Sequence, residues 1–193
     1  MKVSLVIVTL ALCGCVSPAI TSLVSGIPST WPKDWEAISP AAKGTCPSIA
    51  GTYENLGLVP NSNSAPIEDT LSYRLFGRTD GPGVTMRITQ LPGDLIQFDV
   101  LKDASQIFTF TSSKNAGDFS CADGGVAFRP GTSKSGGPEG GLIIQNSTLL
   151  IPVVSGELAA RVLVKSGGLA YWLIPGGGIQ RYWMKFSRAT HGA

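Results

Sequence analysis

Histidine is almost missing from this sequence: the one copy, His191, sits two residues from the end of the chain. Chain ends fray, so an imidazole there is poorly placed for the fixed geometry that general acid–base catalysis requires. Charge is scarce as well. Lys, Arg, Asp and Glu make up 15% of the residues, against roughly a quarter in an average soluble protein. The net charge is only +2 and no stretch forms a basic run, so nucleic-acid binding gets no support. There is no Gly-x-Ser-x-Gly elbow, no Gly-x4-Gly-Lys-[Ser/Thr] phosphate loop and no Cys-x-x-Cys pair, and zinc lacks its ligands. No catalytic residue, metal site or cofactor is therefore assigned. The apolar run from Val3 to Leu12 is ten residues long, half of the roughly twenty that a membrane-spanning helix needs.

What the sequence has instead begins at that run. Lys2 supplies a positive charge, Val3 to Leu12 the apolar segment, and Gly14 a small residue just ahead of a cysteine, which is the layout of a cleavable export signal. The quartet Leu12-Cys13-Gly14-Cys15 resembles the lipobox of bacterial membrane lipoproteins. The resemblance implies that the chain is cut before Cys15, that Cys15 is acylated and becomes the new N-terminus, and that the lipid bilayer is a partner through this anchor. It covers residues 1–15 only, and Cys13 stands where Ala, Ser or Thr is usual. Val16 follows where an aspartate would hold such a protein at the inner membrane, so the periplasmic face of the outer membrane is the expected location. An ordinary export signal cut nearby is the alternative. If Cys13 leaves with the signal and Cys15 takes the lipid, Cys46 and Cys121 remain of the four cysteines. An exported chain meets an oxidising compartment, where this pair is expected to form a disulfide.

On this reading residues 1–14 are the signal peptide and 15–45 the lipidated N-terminus with a Pro/Ser-rich tether. Residues 46–188 form a single β-rich domain and 189–193 a tail. Within the tether, Trp31-Pro32-Lys33-Asp34-Trp35-Glu36 suits one helical turn that places Trp31 and Trp35 on one face, for docking on the domain or for dipping into the membrane interface. The run Cys46 to Tyr53 is similar to the opening of small uncharacterised proteobacterial lipoproteins, and Gly51-x-Tyr53 resembles the Gly-x-Trp at the start of lipocalin barrels.

The 24 glycines and 13 prolines, combined with low charge, point to short strands joined by tight turns. One helix is predicted over Ser64 to Gly77, with Ile67, Leu71 and Leu75 on one face, Ser64 as cap and Gly77 as left-handed stop. From Gly83 the period is two: Val84, Met86 and Ile88, then Ile96, Phe98 and Val100, alternate with polar residues. Further strands are predicted near 105–111, 117–121, 125–129, 141–152, 157–165, 169–174 and 179–186. Turns are expected at Asn115-Ala116-Gly117, Asp123-Gly124-Gly125, Ser155-Gly156, Ser166-Gly167-Gly168 and Pro175 to Gly178, and Arg129 to Gly141 reads as a mobile loop. Such close turns leave no room for crossover helices. The expected fold is all-β and mainly antiparallel: an up-and-down meander of about eight to nine strands, barrel-like or half-open, with one short helix packed on it.

Two sets of side chains invite a functional reading. Arg181, Trp183 and Lys185 share one face of the last strand, opposite Tyr182, Met184 and Phe186, and form a candidate contact for an envelope protein partner. Asp94, Asp99, Asp103, Asp118 and Asp123 recur along the meander, where a pair facing across a cleft would suit a carboxylate-based hydrolase. Most neighbour predicted turns, where aspartate serves local hydrogen bonding. The expected function is a lipid-anchored, non-enzymatic structural or interaction domain of the cell envelope. A lipocalin-like carrier of a small apolar ligand is the alternative, and the hydrolase comes third.

Overall fold

The computed structural model describes residues 31–39, 45–59, 69–122, 124–137, 140–170 and 174–190. The signal-like segment, Cys15, residues 60–68, Asp123 and His191 lie outside them. The chain is mainly antiparallel β-structure in two sheets. Strands β1 (Gly51–Glu54), β2 (Val84–Leu91), β3 (Leu95–Lys102) and β4 (Ser105–Ser113) pair in chain order as a four-stranded sheet. The second sheet holds β5 (Phe119–Ala122), β6 (Gly125–Phe128), β7 (Gly131–Gly137), β8 (Gly140–Pro152), β9 (Leu158–Ala170) and β10 (Ile174–Phe186). Its order is β10-β9-β8-β6-β5, with β7 lying along the first half of β8. The described residues form ten strands, and their ladders do not close into a barrel, so the expected antiparallel fold with one short helix is present in its open form.

The alternation that predicts β2 and β3 is what buries them. Val84, Met86, Ile88, Ile96, Phe98 and Val100 all point inward, and they meet Val126, Leu150, Leu158, Val162, Met184 and Phe186 from the other sheet in one apolar core. Asp103 and Ala104 form the two-residue turn between β3 and β4, both with positive φ (50° and 62°), the turn hand that matches strand twist. One seam between the sheets is stitched by backbone bonds: Glu54 N–H donates to Ser187 O, Leu58 and Lys185 exchange a pair, and Ala189 N–H donates to Thr52 O, at 2.8–3.0 Å. At this seam Gly51-x-Tyr53 has a clear physical role. The Arg188 guanidinium lies 5.4 Å from the Tyr53 ring centroid, and a Cβ on residue 51 would meet Arg188 Nη1 at 2.7 Å.

The helix is shorter than the periodicity predicts. Helix α1 spans Leu71–Phe76, and Thr70, in extended conformation, caps it by accepting from Tyr73 N–H. That extended residue interrupts the predicted helix; Ser64 and Ile67, its predicted cap and first face residue, lie outside the described residues. Leu71 is fully buried, Leu75 packs against the core, and Gly77 ends the helix at φ 68° as expected.

The glycine-rich second half departs most from expectation. Arg129 to Gly141 is not simply a loop, because β7 runs through it. Ser166-Gly167-Gly168 and Pro175 to Gly178 are not turns but lie within the second half of β9 and the start of β10. Here Gly136 pairs with Gly141, Leu142 with Gly168 and Gly168 with Gly176. A Cβ on Gly168 would collide with the Gly141 carbonyl oxygen. Close backbone approach selects Gly168 and Gly177, while Gly167 and Gly176 have open space where a Cβ would stand; hydrophobic alternation is silent about all of them.

Cys46 and Cys121 are joined in a disulfide, with Cα atoms 5.1 Å apart and a sequence separation of 75. It ties the segment before β1 onto β5, beside the core. The chain-entropy model gives about 4.5 kcal/mol for a loop of that length, an upper figure. Replacing both cysteines with serine should therefore lower the unfolding free energy by up to about 4 kcal/mol in denaturant titration. In the wild type denatured without reductant, labelling of either cysteine would refute the pairing.

Candidate functional site

The outer face of the six-stranded sheet collects the side chains that sequence reasoning singles out, together with others it does not. Register places Leu149, Arg161 and Trp183 in one rung, Ser147, Leu163 and Arg181 in the next, then Gln145, Lys165 and Ile179, then Ile143 with Lys134 of β7. One end of this face is covered by the chain itself. Residues 31–39 lie against it through Val154 N–H to Ala37 O and Ser39 N–H to Pro152 O, at 3.1 and 2.9 Å. Trp31 stacks edge-on to Trp183 at 4.9 Å and to Trp35 at 5.5 Å. Trp35, Leu149, Ile151, Val153, Ala159 and Trp183 form a second apolar cluster, separate from the core between the sheets. Docking on the domain is therefore the arrangement of the two tether indoles, and the expected turn is present, closed by Trp35 N–H to Pro32 O.

The candidate contact triplet accordingly divides. Trp183 is only 6% exposed, under Trp31, and is not a free anchor. Lys185 is half-buried, bonded to Glu157 at 2.9 Å and 5.7 Å from the Trp35 ring. Arg181 alone is exposed. It lines a groove of about 380 Å³ with Ala127, Phe128, Ser147, Leu149, Arg161 and Leu163, where β6 ends and β7 begins alongside β8. The indole N–H of Trp183 is buried without a hydrogen-bond partner among the described residues.

Beyond the groove the strands project past the core. Lys134, Ile143, Lys165, Leu169, Ile179 and Arg181 are all exposed there, Ile179 at 63%. Sequence reasoning misses this grouping, because turns expected at 166–168 and 175–178 break the register that aligns it. The available signal was parity: counted without interruption from Trp183, the odd-numbered positions 179 and 181 fall on its face.

The carboxylates serve structure. Asp99, 1% exposed, accepts from Thr109 Oγ1 (2.8 Å), Gln97 Nε2 (2.9 Å) and Arg87 Nε and Nη2 (both 3.1 Å). Burial pushes its pKa up, but the bonds from Thr109, Gln97 and Arg87 and the guanidinium charge outweigh burial and hold it below the ordinary value. Asp118 accepts from Ser113 N–H, Asp94 sits in the β2–β3 turn near Lys114, and Asp103 forms the β3–β4 turn. Asp123 lies outside the described residues. Among the described residues no group of three or more His, Cys, Asp or Glu side chains is arranged to hold a metal ion.

No protein-family model matches the sequence, and no curated protein or solved structure is significantly similar to it.

Two outcomes follow from these contacts. Trp31→Ala removes two edge-on aromatic contacts and uncovers Trp183, and should cost about 1–3 kcal/mol in thermal or denaturant unfolding; unchanged stability would mean that the docked segment contributes nothing. Because Asp99 is depressed on folding, its ionised form stabilises the fold above the ordinary carboxylate value of 3.8, and that contribution is lost as pH falls through the folded pKa. Asp99→Asn should lower stability at neutral pH and flatten its decline below about pH 4, read from unfolding curves across that range.

Proposed function

We propose that the chain is a lipid-anchored protein of the bacterial envelope, held by an acylated Cys15 at the periplasmic face of the outer membrane. Its β-domain works without catalysis, as a structural or interaction module. The quartet Leu12-Cys13-Gly14-Cys15, preceded by Lys2 and the mainly apolar run Val3 to Ala11, carries this reading. The joined cysteines Cys46 and Cys121 support it, since such a bond suits an exported chain and leaves Cys15 for the lipid. One acyl chain, at about 0.8 kcal/mol per buried methylene, holds a protein only marginally; the three chains of the lipoprotein class make a lasting anchor. A carrier would need a chamber between the sheets, and among the described residues Met86, Phe98, Val126, Leu150, Met184 and Phe186 fill that space. A carboxylate hydrolase would need two acids across a cleft, and Asp94, Asp99, Asp103 and Asp118 are engaged in turns and hydrogen bonds instead.

Metabolic labelling with a fatty-acid analogue tests the anchor. The wild type should carry the label, and Cys15→Ser should lose it and accumulate as the uncut or differently cut chain. Undiminished labelling of Cys15→Ser would overturn the assignment.

A further inference from the structure

We propose that the projecting outer face of β7 to β10 is a docking surface for anionic phospholipid headgroups. Three observations converge on it. The first is charge segregation. Lys134, Lys165 and Arg181 all stand on this face. The opposite face of the same strands carries Ser133, Ser135, Leu142, Ile144, Asn146, Val164, Ser166 and Gln180, and no charge. Among the described residues none of the three cations makes an ion pair, whereas Arg74, Arg78, Arg87, Lys114 and Lys185 each do.

The second is composition. Ile143, Leu169 and Ile179 are 40–63% exposed between those cations. A cationic face with exposed aliphatic side chains suits the boundary of an anionic leaflet, where basic groups meet phosphate and aliphatic tips enter the headgroup layer. The groove between Arg161 and Arg181, with the Ser147 hydroxyl in its lining, is large enough to receive a single headgroup phosphate.

The third is where the chain arrives. Trp31 stacks on Trp183, one rung from Arg181, so the described residue nearest in sequence to Cys15 lies on this same face. The sixteen residue steps from Cys15 to Trp31 can reach at most about 55 Å. From Arg161 to Leu169 the face is about 27 Å long, at roughly 3.3 Å per residue. An anchor at Cys15 therefore lets the whole face lie on the leaflet. This third observation rests on the lipid-anchor reading; the first two do not.

The test separates the face from the anchor. Every contact described in the fold lies within residues 31–190, so a chain beginning at Val16 keeps them all and lacks the acylated cysteine. It is mixed with vesicles of phosphatidylethanolamine containing roughly 30% phosphatidylglycerol, or with pure phosphatidylcholine vesicles, and bound protein is measured by sedimentation. Binding to the first and not the second is expected, with release at about 0.5 M salt, where screening shortens to about 4 Å. Each cation removed should weaken binding on the order of five-fold, so Lys165→Glu with Arg181→Glu should cost well over ten-fold. Ile179→Ser should weaken it several-fold and leave its salt dependence intact. Lys102→Glu with Lys114→Glu changes the net charge equally on the other sheet and should leave binding within two-fold or so. Equal losses for both charge pairs, equal binding to both vesicles, or binding to neither would overturn the proposal. Cross-linking from Lys165 to an envelope protein, abolished by the Lys165 and Arg181 reversals while vesicles are ignored, would replace it with a protein partner. Failure of any of these leaves the Cys15 labelling result unaffected.

Discussion

Four backbone hydrogen bonds between residues 52–58 and 185–189 hold the fold together, because they bring the first strand and the last to the same seam. Without them two antiparallel sheets would each have a solvated edge and a single apolar face. With them, Tyr53 and Met86 on one sheet share a core with Met184 and Phe186 on the other. Arg188 reinforces the junction by donating Nε–H to Gly156 O at 2.7 Å and Nη2–H to Ala50 O at 3.4 Å while covering the Tyr53 ring. Burial raises the Tyr53 pKa, partly opposed by the Arg188 charge. Its phenol instead donates to the Ile49 and Ala50 carbonyls. The disulfide acts in the same neighbourhood of the chain, fixing residue 46 to β5 just before β1 begins.

The parts of this fold that the sequence reveals are those where burial alternates. Strands β2 and β3 are legible because Val84, Met86, Ile88, Ile96, Phe98 and Val100 each bury a side chain at every second position. The end of α1 is legible because Gly77 adopts the left-handed conformation that only certain residues take without cost. Its start is not, since Ser64 and Thr70 are equally good caps on paper and only tertiary contacts select Thr70. Among these, the Leu71 amide donates to Asn55 O and the Ser72 amide to Asn55 Oδ1. Strand β7 is illegible for a different reason. Its residues are all exposed and its pairing with β8 is carried by the backbone, so Gly and Ser leave no trace of it in the hydropathy pattern.

The outer face of the six-stranded sheet shows the same division. Trp183 and its neighbours in β10 can be placed on one face by counting alternate residues, and the tether tryptophans can be suspected of covering them. What cannot be counted is the lateral neighbourhood. Lys134, Lys165 and Arg181 are far apart in the chain and form no basic run, yet register sets them on one surface. A net charge of +2 is a weak guide when the acids gather elsewhere: among the described residues from 124 to 190, Glu157 is the only acid. It is bound to Lys185 at the covered end of the face.

The seam between the chain's two ends also has a kinetic meaning. Glu54 and Ser187 are separated by almost the whole domain, so the bonds between them cannot form until the last strand has been made. Within the sheets the runs β2–β4 and β7–β10 can assemble hairpin by hairpin, by contacts that are local and close quickly. Enclosing the core has to wait for the slowest event in such a topology, the meeting of distant segments against the entropy of a long loop. Until then the apolar faces of both sheets stay wet, and the chain remains a substrate for holding factors and for proteases. Residues 185–189 therefore complete the fold, and their late arrival sets how long the unfinished domain stays vulnerable.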